Sequence, residues 1–168
     1  MTLHIRLLEA QDIHPIADAF LAIGWHKPVA QYERYLTQQQ TGQRVVLVAF
    51  VEDIFAGYVT IVWQSSYPPF READIPEIQD FNVLPRFQRR GIGSRLMDEA
   101  EQRVARQSPL VGIGVGMYAD YGTAQRMYVR RGYIPDGRGL FFRGHFVKPG
   151  DKVIVDDDLS LQFTKKLR

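Results

Sequence analysis

Residues 82–104, NVLPRFQRRGIGSRLMDEAEQRV, pass from strand-like residues through a basic, glycine-containing turn into an amphipathic helix. A helix whose first turn is built from Gln88, Arg89, Arg90, Gly91, Ile92, Gly93 and Ser94 points unpaired backbone N–H groups and the positive end of its dipole at whatever precedes it. Such a turn binds anions. Gly91 and Gly93 carry no side chain that would hold a phosphate away, and Arg89 and Arg90 add positive charge. Two other phosphate-binding patterns are absent: there is no G-x-x-x-x-G-K-[ST] and no G-x-G-x-x-G with an acidic residue downstream. The same residues also suit an ordinary strand-to-helix turn with solvated arginines, so Gly-x-Gly alone is not specific.

The rest of the chain has to position that turn. With 168 residues, 45% of them hydrophobic and 12% aromatic, it can bury a real core, and a single domain spanning 1–168 is expected. A net charge of +2 does not by itself imply a nucleic-acid or membrane surface. The absence of cysteine rules out disulfides, thiolate zinc sites and cysteine nucleophiles. His4, His14, His26 and His145 fall at no metal-ligand spacing, so no metal is expected. No basic segment followed by an apolar run opens the chain, and no later run is long enough for a bilayer, which predicts a cytoplasmic protein.

Periodicity predicts the elements. LHIRLLE alternates as a strand, and Ile13, Ile16, Ala17, Phe20 and Leu21 recur at helical spacing behind Asp12 as N-cap, with Pro15 in the first turn. A second helix spans Val29–Gln40, closed by Gly42; RVVLVAFV and IFAGYVTIVW form a hairpin turning at Glu52 and Asp53. QSSYPPFREADIP is predicted as loop, and EIQDFNV as a strand that Pro85 ends. The helix after Gly91 turns Ile92, Leu96, Met97, Ala100 and Val104 to the core, with Asp98, Glu99, Glu101 and Arg103 outward. LVGIGVGMY, a short helix GTAQRMYVRRG stopped by Gly132, and a terminal strand LSLQFTKKL complete the order β-α-α-β-β-β-α-β-α-β. This order specifies an α/β fold: a mixed sheet with helices on its faces.

VLPRFQRRGIGSRLM resembles the acyl-CoA-binding motif of the GCN5-related N-acetyltransferase (GNAT) superfamily, Gln/Arg-x-x-Gly-x-Gly/Ala after a strand and before a helix; Gln88, Gly91 and Gly93 fit it, with Val83 and Pro85 at their usual offsets. AQRMYVRRGY resembles the family's second motif through Ala124, Tyr128, Gly132 and Tyr133. The resemblance implies a mostly antiparallel sheet with a splayed strand pair and helices on both faces. It also implies acetyl-CoA as co-substrate: amides of 89–94, Ile92 and Ser94 included, on the pyrophosphate, and the backbone of Phe81, Asn82 and Val83 beside the pantetheine arm. Tyr121 stands where the family often has asparagine. Arg126, Arg130 and Arg131 suit either the outer phosphate or a solvated helix face.

The reaction so implied is transfer of an acyl group, usually acetyl, from thioester sulfur to an amine. An alkylamine with a pKa of about 10.4 is almost wholly protonated at neutral pH, so a base or water chain must take a proton before attack. Glu77 lies at the start of the strand, where several family members place their catalytic glutamate, Asp80 is the second choice, and Tyr128 resembles the family's general acid that serves the leaving sulfur. A strand amide near 81–83 could hold the oxyanion. Trp25, Trp63, Tyr67, Phe70, Phe141 and Phe142, with Asp156, Asp157 and Asp158, correspond to the acceptor side and suit a cationic amine. The acceptor is a small-molecule or peptide amine, with no nucleic acid and no membrane partner; a homodimer is compatible. A coenzyme A-binding sensor without catalysis is the alternative function, and a nucleotide-binding regulator a third.

Overall fold

The computed structural model describes residues 1–168. Its contacts divide the chain into two compact units, Met1–Trp63 with Ile78–Arg103, and Gln64–Glu77 with Val104–Arg168. The first contains β1 (Leu3–Leu7), α1 (Ile13–Leu21), α2 (Val29–Gln40), β2 (Arg44–Val51) and β3 (Ile54–Val62). It also holds all but the first residue of β4 (Glu77–Val83) and α4 (Ile92–Ala105) as far as Arg103. The second contains α3 (Pro68–Glu72), β5 (Leu110–Gly116), α5 (Gly122–Arg130), β6 (Ile134–Phe142), β7 (His145–Phe146) and β8 (Leu159–Lys166). The architecture is mixed α/β, its sheet mostly antiparallel.

In the first unit the strands run in the order β1-β2-β3-β4. The β-branched runs of β2 and β3 pair antiparallel from Arg44 opposite Val62 to Val51 opposite Ile54. Their turn is the expected Glu52–Asp53 pair, with φ of 49° and 64°, the left-handed pair that a two-residue hairpin requires. Phe20 of α1 is fully buried and meets Tyr58 of β3 edge to face, centroids 5.9 Å apart. α2 has its expected bounds, and Gly42 beyond it lies at φ 79°. Asp12 does not cap α1 with its side chain. Its carboxylate instead accepts from the two terminal Arg6 guanidinium nitrogens at 2.7 and 2.8 Å and from the Glu9 amide, a stronger charge-assisted set than one helix N–H.

Gly57 sets how close β4 comes to β3. A Cβ there would overlap the Asn82 carbonyl oxygen and stand 2.9 Å from Val83 Cα, both backbone atoms that cannot rotate away. On α4, Ile92, Leu96, Met97 and Ala100 are buried as their spacing predicts. Glu101, expected outward, is buried as well, because it follows Met97 by four residues and shares its helix face.

In the second unit the order is β5-β8-β6-β7. β5 pairs β8 antiparallel from Leu110 opposite Lys166 to Gly116 opposite Ser160. This unit departs from the expected order. The segment predicted as loop contains α3, and β6 and β7 are additional strands, hidden in the sequence because IPDGRGLFF interrupts its apolar residues with proline, glycines and charge. Tyr67, Phe70 and Ile75 form a buried cluster with Phe141 packed on it. No helix of the chain is long and apolar enough to cross a membrane.

Replacing Gly57 separates a spacing role from an ordinary strand glycine. Alanine at an unhindered strand position stabilises by roughly 0.5–1 kcal/mol. Here Gly57→Ala is expected to destabilise by about 1–3 kcal/mol through overpacking, a fall in Tm of roughly 3–10 °C. A raised Tm would contradict the close approach.

Candidate active site

The turn from which anion binding is expected lies in the first unit. β4 ends at Val83, one 3-10 turn spans Pro85–Phe87, and the Gln88 side-chain amide donates to the Val83 carbonyl at 3.0 Å, closing the connection. Arg89 and Gly91 then both take left-handed backbone, at φ 60° and 79°. Alternating handedness turns successive amides to one side and makes a concavity for an anion. The helical ladder starts with the Arg95 amide on the Gly91 carbonyl at 3.1 Å, leaving the amides of the first turn directed out of its N-terminus. Nothing lies within 4 Å of a Cβ built on Gly91, so the space over the turn is open. Arg89, Arg90 and Ser94 are exposed, Gly93 is half-buried, and Ile92 is anchored in the core. The Arg90 guanidinium sits 5.6 Å above the Phe87 ring, which limits its range.

Asp80 lies in the middle of β4 at φ 51°, a left-handed residue inside a strand. This breaks the regular ladder as a bulge does. Its carboxylate collects five donors. Oδ2 accepts from Tyr58 Oη at 2.5 Å, Tyr35 Oη at 2.9 Å and Gln31 Nε2 at 3.2 Å; Oδ1 accepts from Asn82 Nδ2 at 2.8 Å and Lys27 Nζ at 3.3 Å. Tyr32 extends the network, its hydroxyl 3.3 Å from that of Tyr58. Burial, with the Asp80 charge beside it, holds the pKa of Tyr58 well above the ordinary phenol value, and burial likewise raises Tyr32 and Tyr35. Sequence reasoning identifies Asp80 but none of its other partners except the neighbouring Asn82. The spacing of Tyr32 and Tyr35, two phenols one turn apart on α2, is the available signal. Phe81, Asn82 and Val83 are half-buried along the same strand.

Glu77 belongs to the second unit and is 7% exposed. Ser65 donates its hydroxyl to Glu77 Oε2 at 2.8 Å while accepting the Tyr67 amide at 2.9 Å, so the carboxylate is held in one orientation. Tyr128 is buried on α5, and burial alone raises the pKa of its hydroxyl. Ala124 lies one turn before it, half-buried, and Gln125 ties α5 to the end of β5 through the Gly116 carbonyl at 2.8 Å. The Arg131 amide closes the helix on the Met127 carbonyl at 2.9 Å. Tyr121 packs against Gly116 and donates to Asp157 at 2.8 Å, beside Tyr118, which donates to the same oxygen.

The residues expected on the acceptor side are divided between the two units. Trp25 stacks on Phe20 at 5.9 Å in the first unit, where Trp63 also lies; Tyr67, Phe70 and Phe141 belong to the buried cluster of the second. Asp156 and Asp158 pair with Arg143 at 2.8 and 3.0 Å, and Phe142 lies under that guanidinium.

On this mixed α/β fold, a strand interrupted by one left-handed residue leads through a short turn to a glycine-opened helix N-terminus. The chain belongs to the Acetyltransferase (GNAT) family, whose profile matches residues 10–133. Among solved structures it is similar to an N-acetyltransferase from Staphylococcus aureus Mu50, at 14% identity and a TM-score of 0.72, covering all of both chains. A Salmonella typhimurium structure with its cofactor acetyl-CoA has 17% identity and a TM-score of 0.70, covering 100% of this chain and 95% of that one. PaiA N-acetyltransferase from Thermoplasma acidophilum, in complex with coenzyme A, has 14% identity and a TM-score of 0.68, covering 99% of each. At these identities the likeness is one of fold. The search of curated proteins found no match.

The tyrosine network sets a pH limit. A phenol whose folded pKa is raised contributes stability that is complete below its unfolded value of about 10 and is lost as pH rises beyond it. In an alkaline titration Tyr32, Tyr35 and Tyr58 are therefore expected to ionise only together with unfolding. The check is whether their share of the phenolate absorbance tracks loss of near-ultraviolet circular dichroism. Complete ionisation of all tyrosines near pH 10 in a still-folded protein would contradict the network.

Proposed function

We propose that this protein transfers an acetyl group from acetyl-CoA to a primary amine of a small molecule or peptide, by direct attack of the amine on the thioester. The observation that carries the reading is the left-handed conformation of Arg89 and Gly91 just ahead of α4, one 3-10 turn after β4. No atom stands over Gly91 to keep a pyrophosphate away, and the first-turn amides are the donors it needs. Phe81, Asn82 and Val83 offer backbone groups to the pantetheine amides. Arg131, Ala124 and Tyr121 are further proposed contacts. The family match covers residues 10–133, and we read 1–168 as one acetyltransferase domain.

In the reaction the amine nitrogen forms a bond to the carbonyl carbon, the oxyanion collapses, and the C–S bond breaks. Glu77 takes the proton the amine must lose, directly or through water; its fixed orientation on Ser65 suits a positioned base. Asp80 fits that task less well. A carboxylate has about four lone-pair sites, and five donors already converge on this one. Tyr128 donates to the departing sulfur. Its raised pKa keeps it protonated throughout the neutral range, so it is always available as a donor.

Incubation with acetyl-CoA and a panel of amines, followed by assay of free thiol, tests the reading. Thiol release that depends on amine is expected; coenzyme A binding without it is the outcome of a non-catalytic sensor. Acetyl-CoA at a hundredfold excess over its Kd should stabilise the fold by about 2.7 kcal/mol, and Gly93→Val should lose that shift. A full shift in Gly93→Val places the pyrophosphate elsewhere.

Two substitutions divide the chemistry. Glu77→Gln is expected to lower turnover by roughly 10²-fold or more and remove the acidic limb of the rate profile. Tyr128→Phe keeps the ring and is expected to lower turnover by about 10- to 10³-fold while changing acetyl-CoA affinity by less than about 1 kcal/mol. Full activity in either variant removes that residue from its role.

A further inference from the structure

One cation in the first unit occupies a place built for a cation. Lys27 stands in the irregular segment between α1 and α2, and its ammonium lies 5.4 Å above the Phe20 ring and 5.9 Å above the Tyr58 ring. It is 3.4 Å from Tyr58 Oη and 3.3 Å from Asp80 Oδ1. Trp25 stacks behind Phe20. Two aromatic faces and a carboxylate are the groups that recognise an alkylammonium ion.

We infer that Phe20, Tyr58 and Asp80 form the receptor for the acceptor's ammonium group, and that the Lys27 side chain fills it as a displaceable internal stand-in. The inference rests on the transferase reading for its substrate and on four observations for its geometry.

First, Lys27 makes the longest of the five hydrogen bonds to Asp80; the others run from 2.5 to 3.2 Å. An ammonium–carboxylate bond is ordinarily about 2.7–2.9 Å, so this contact is the loosest member of a tight set. Second, Lys27 and Asp80 keep 21% and 22% of their side-chain surface exposed, so an ammonium from solution can reach the pair. Third, Tyr58, Tyr35, Gln31 and Asn82 hold the carboxylate in place without Lys27, so the receptor persists when Lys27 leaves. Fourth, Asp80 adopts a left-handed conformation inside a strand, and it immediately precedes the residues proposed to line the pantetheine arm.

The occupant also identifies the substrate class. A lysine ends in a primary ammonium on an unbranched methylene chain, and the walls that accept it accept an acceptor of the same form. The receptor therefore selects unbranched primary alkylamines, which bind as ammonium ions and lose a proton afterwards. Lys27 competes with them, so the apparent affinity for acceptor is reduced by the fraction of molecules in which the receptor is vacant.

The test uses n-butylammonium chloride as probe, titrated into the whole protein without acetyl-CoA and followed by NMR. Lys27→Met keeps the length and apolar packing of the side chain and removes its charge. It is expected to bind the probe about tenfold more tightly than the unaltered protein, the gain for a receptor vacant about a tenth of the time. Adding Asp80→Asn should abolish that gain. Equal affinity with and without Lys27, or a gain that survives Asp80→Asn, overturns the inference and leaves Lys27 as a fastener of the α1–α2 segment. If Lys27→Met does not fold, Lys27→Gln is read by the same criteria. Tight probe binding without thiol release in the acetyl-CoA assay would overturn the transferase reading alone. Thiol release with the same KM for alkylamine in Lys27→Met as in the unaltered protein would overturn the stand-in alone.

Discussion

A single carboxylate in the middle of β4 organises the first unit. Asp80 takes a left-handed conformation, which costs about 1–3 kcal/mol for a residue with a side chain, and its oxygens gather donors from α2, β3, β4 itself and the segment before α2. Each hydrogen bond to a charged acceptor contributes roughly 1.5–3 kcal/mol, so the set offsets the backbone cost. The strand cannot relax into a regular ladder without breaking it. Phenols serve here because a buried tyrosine brings apolar area together with one donor, and Tyr58 and Tyr32 use both.

The residues C-terminal to Asp80 inherit its placement. Gly57 lets Asn82 and Val83 lie closer to β3 than any side chain would allow. Gln88 then ties the turn back to Val83, and Arg89 and Gly91 reverse the backbone's handedness so that the amides of α4 emerge together. Ile92 and Leu96 bury the helix behind them. The geometry that an anion site requires thus lies in the direction of the backbone, and the arginines around it add charge without fixing that geometry.

Much of this is legible in the sequence because it is local. Val29–Gln40, the Glu52–Asp53 turn, the glycine-opened α4 and the Gly132 stop each depend on residues within a few positions of one another, and spacing and turn chemistry reveal those directly. β6 escapes because Pro135, Gly137 and Gly139 interrupt its alternation. Glu101 departs from expectation because charge suggests solvent where helical geometry places it beside Met97. The Asp80 network escapes for a different reason. Tyr58, Tyr35, Gln31 and Lys27 lie 22, 45, 49 and 53 positions away, and no local pattern links a carboxylate to partners at such distances. From sequence Asp80 reads only as a substitute base; its role as an anchor emerges from the number of donors around it.

The central claim is that β4 and the first turn of α4 present backbone amides to an acyl-CoA. Amide-resolved NMR of the uniformly ¹⁵N-labelled protein during titration with acetyl-CoA tests it most directly. The largest shifts are predicted to fall on the amides of 89–94 and 81–83. Saturable binding that leaves those amides unmoved while perturbing others would contradict the claim.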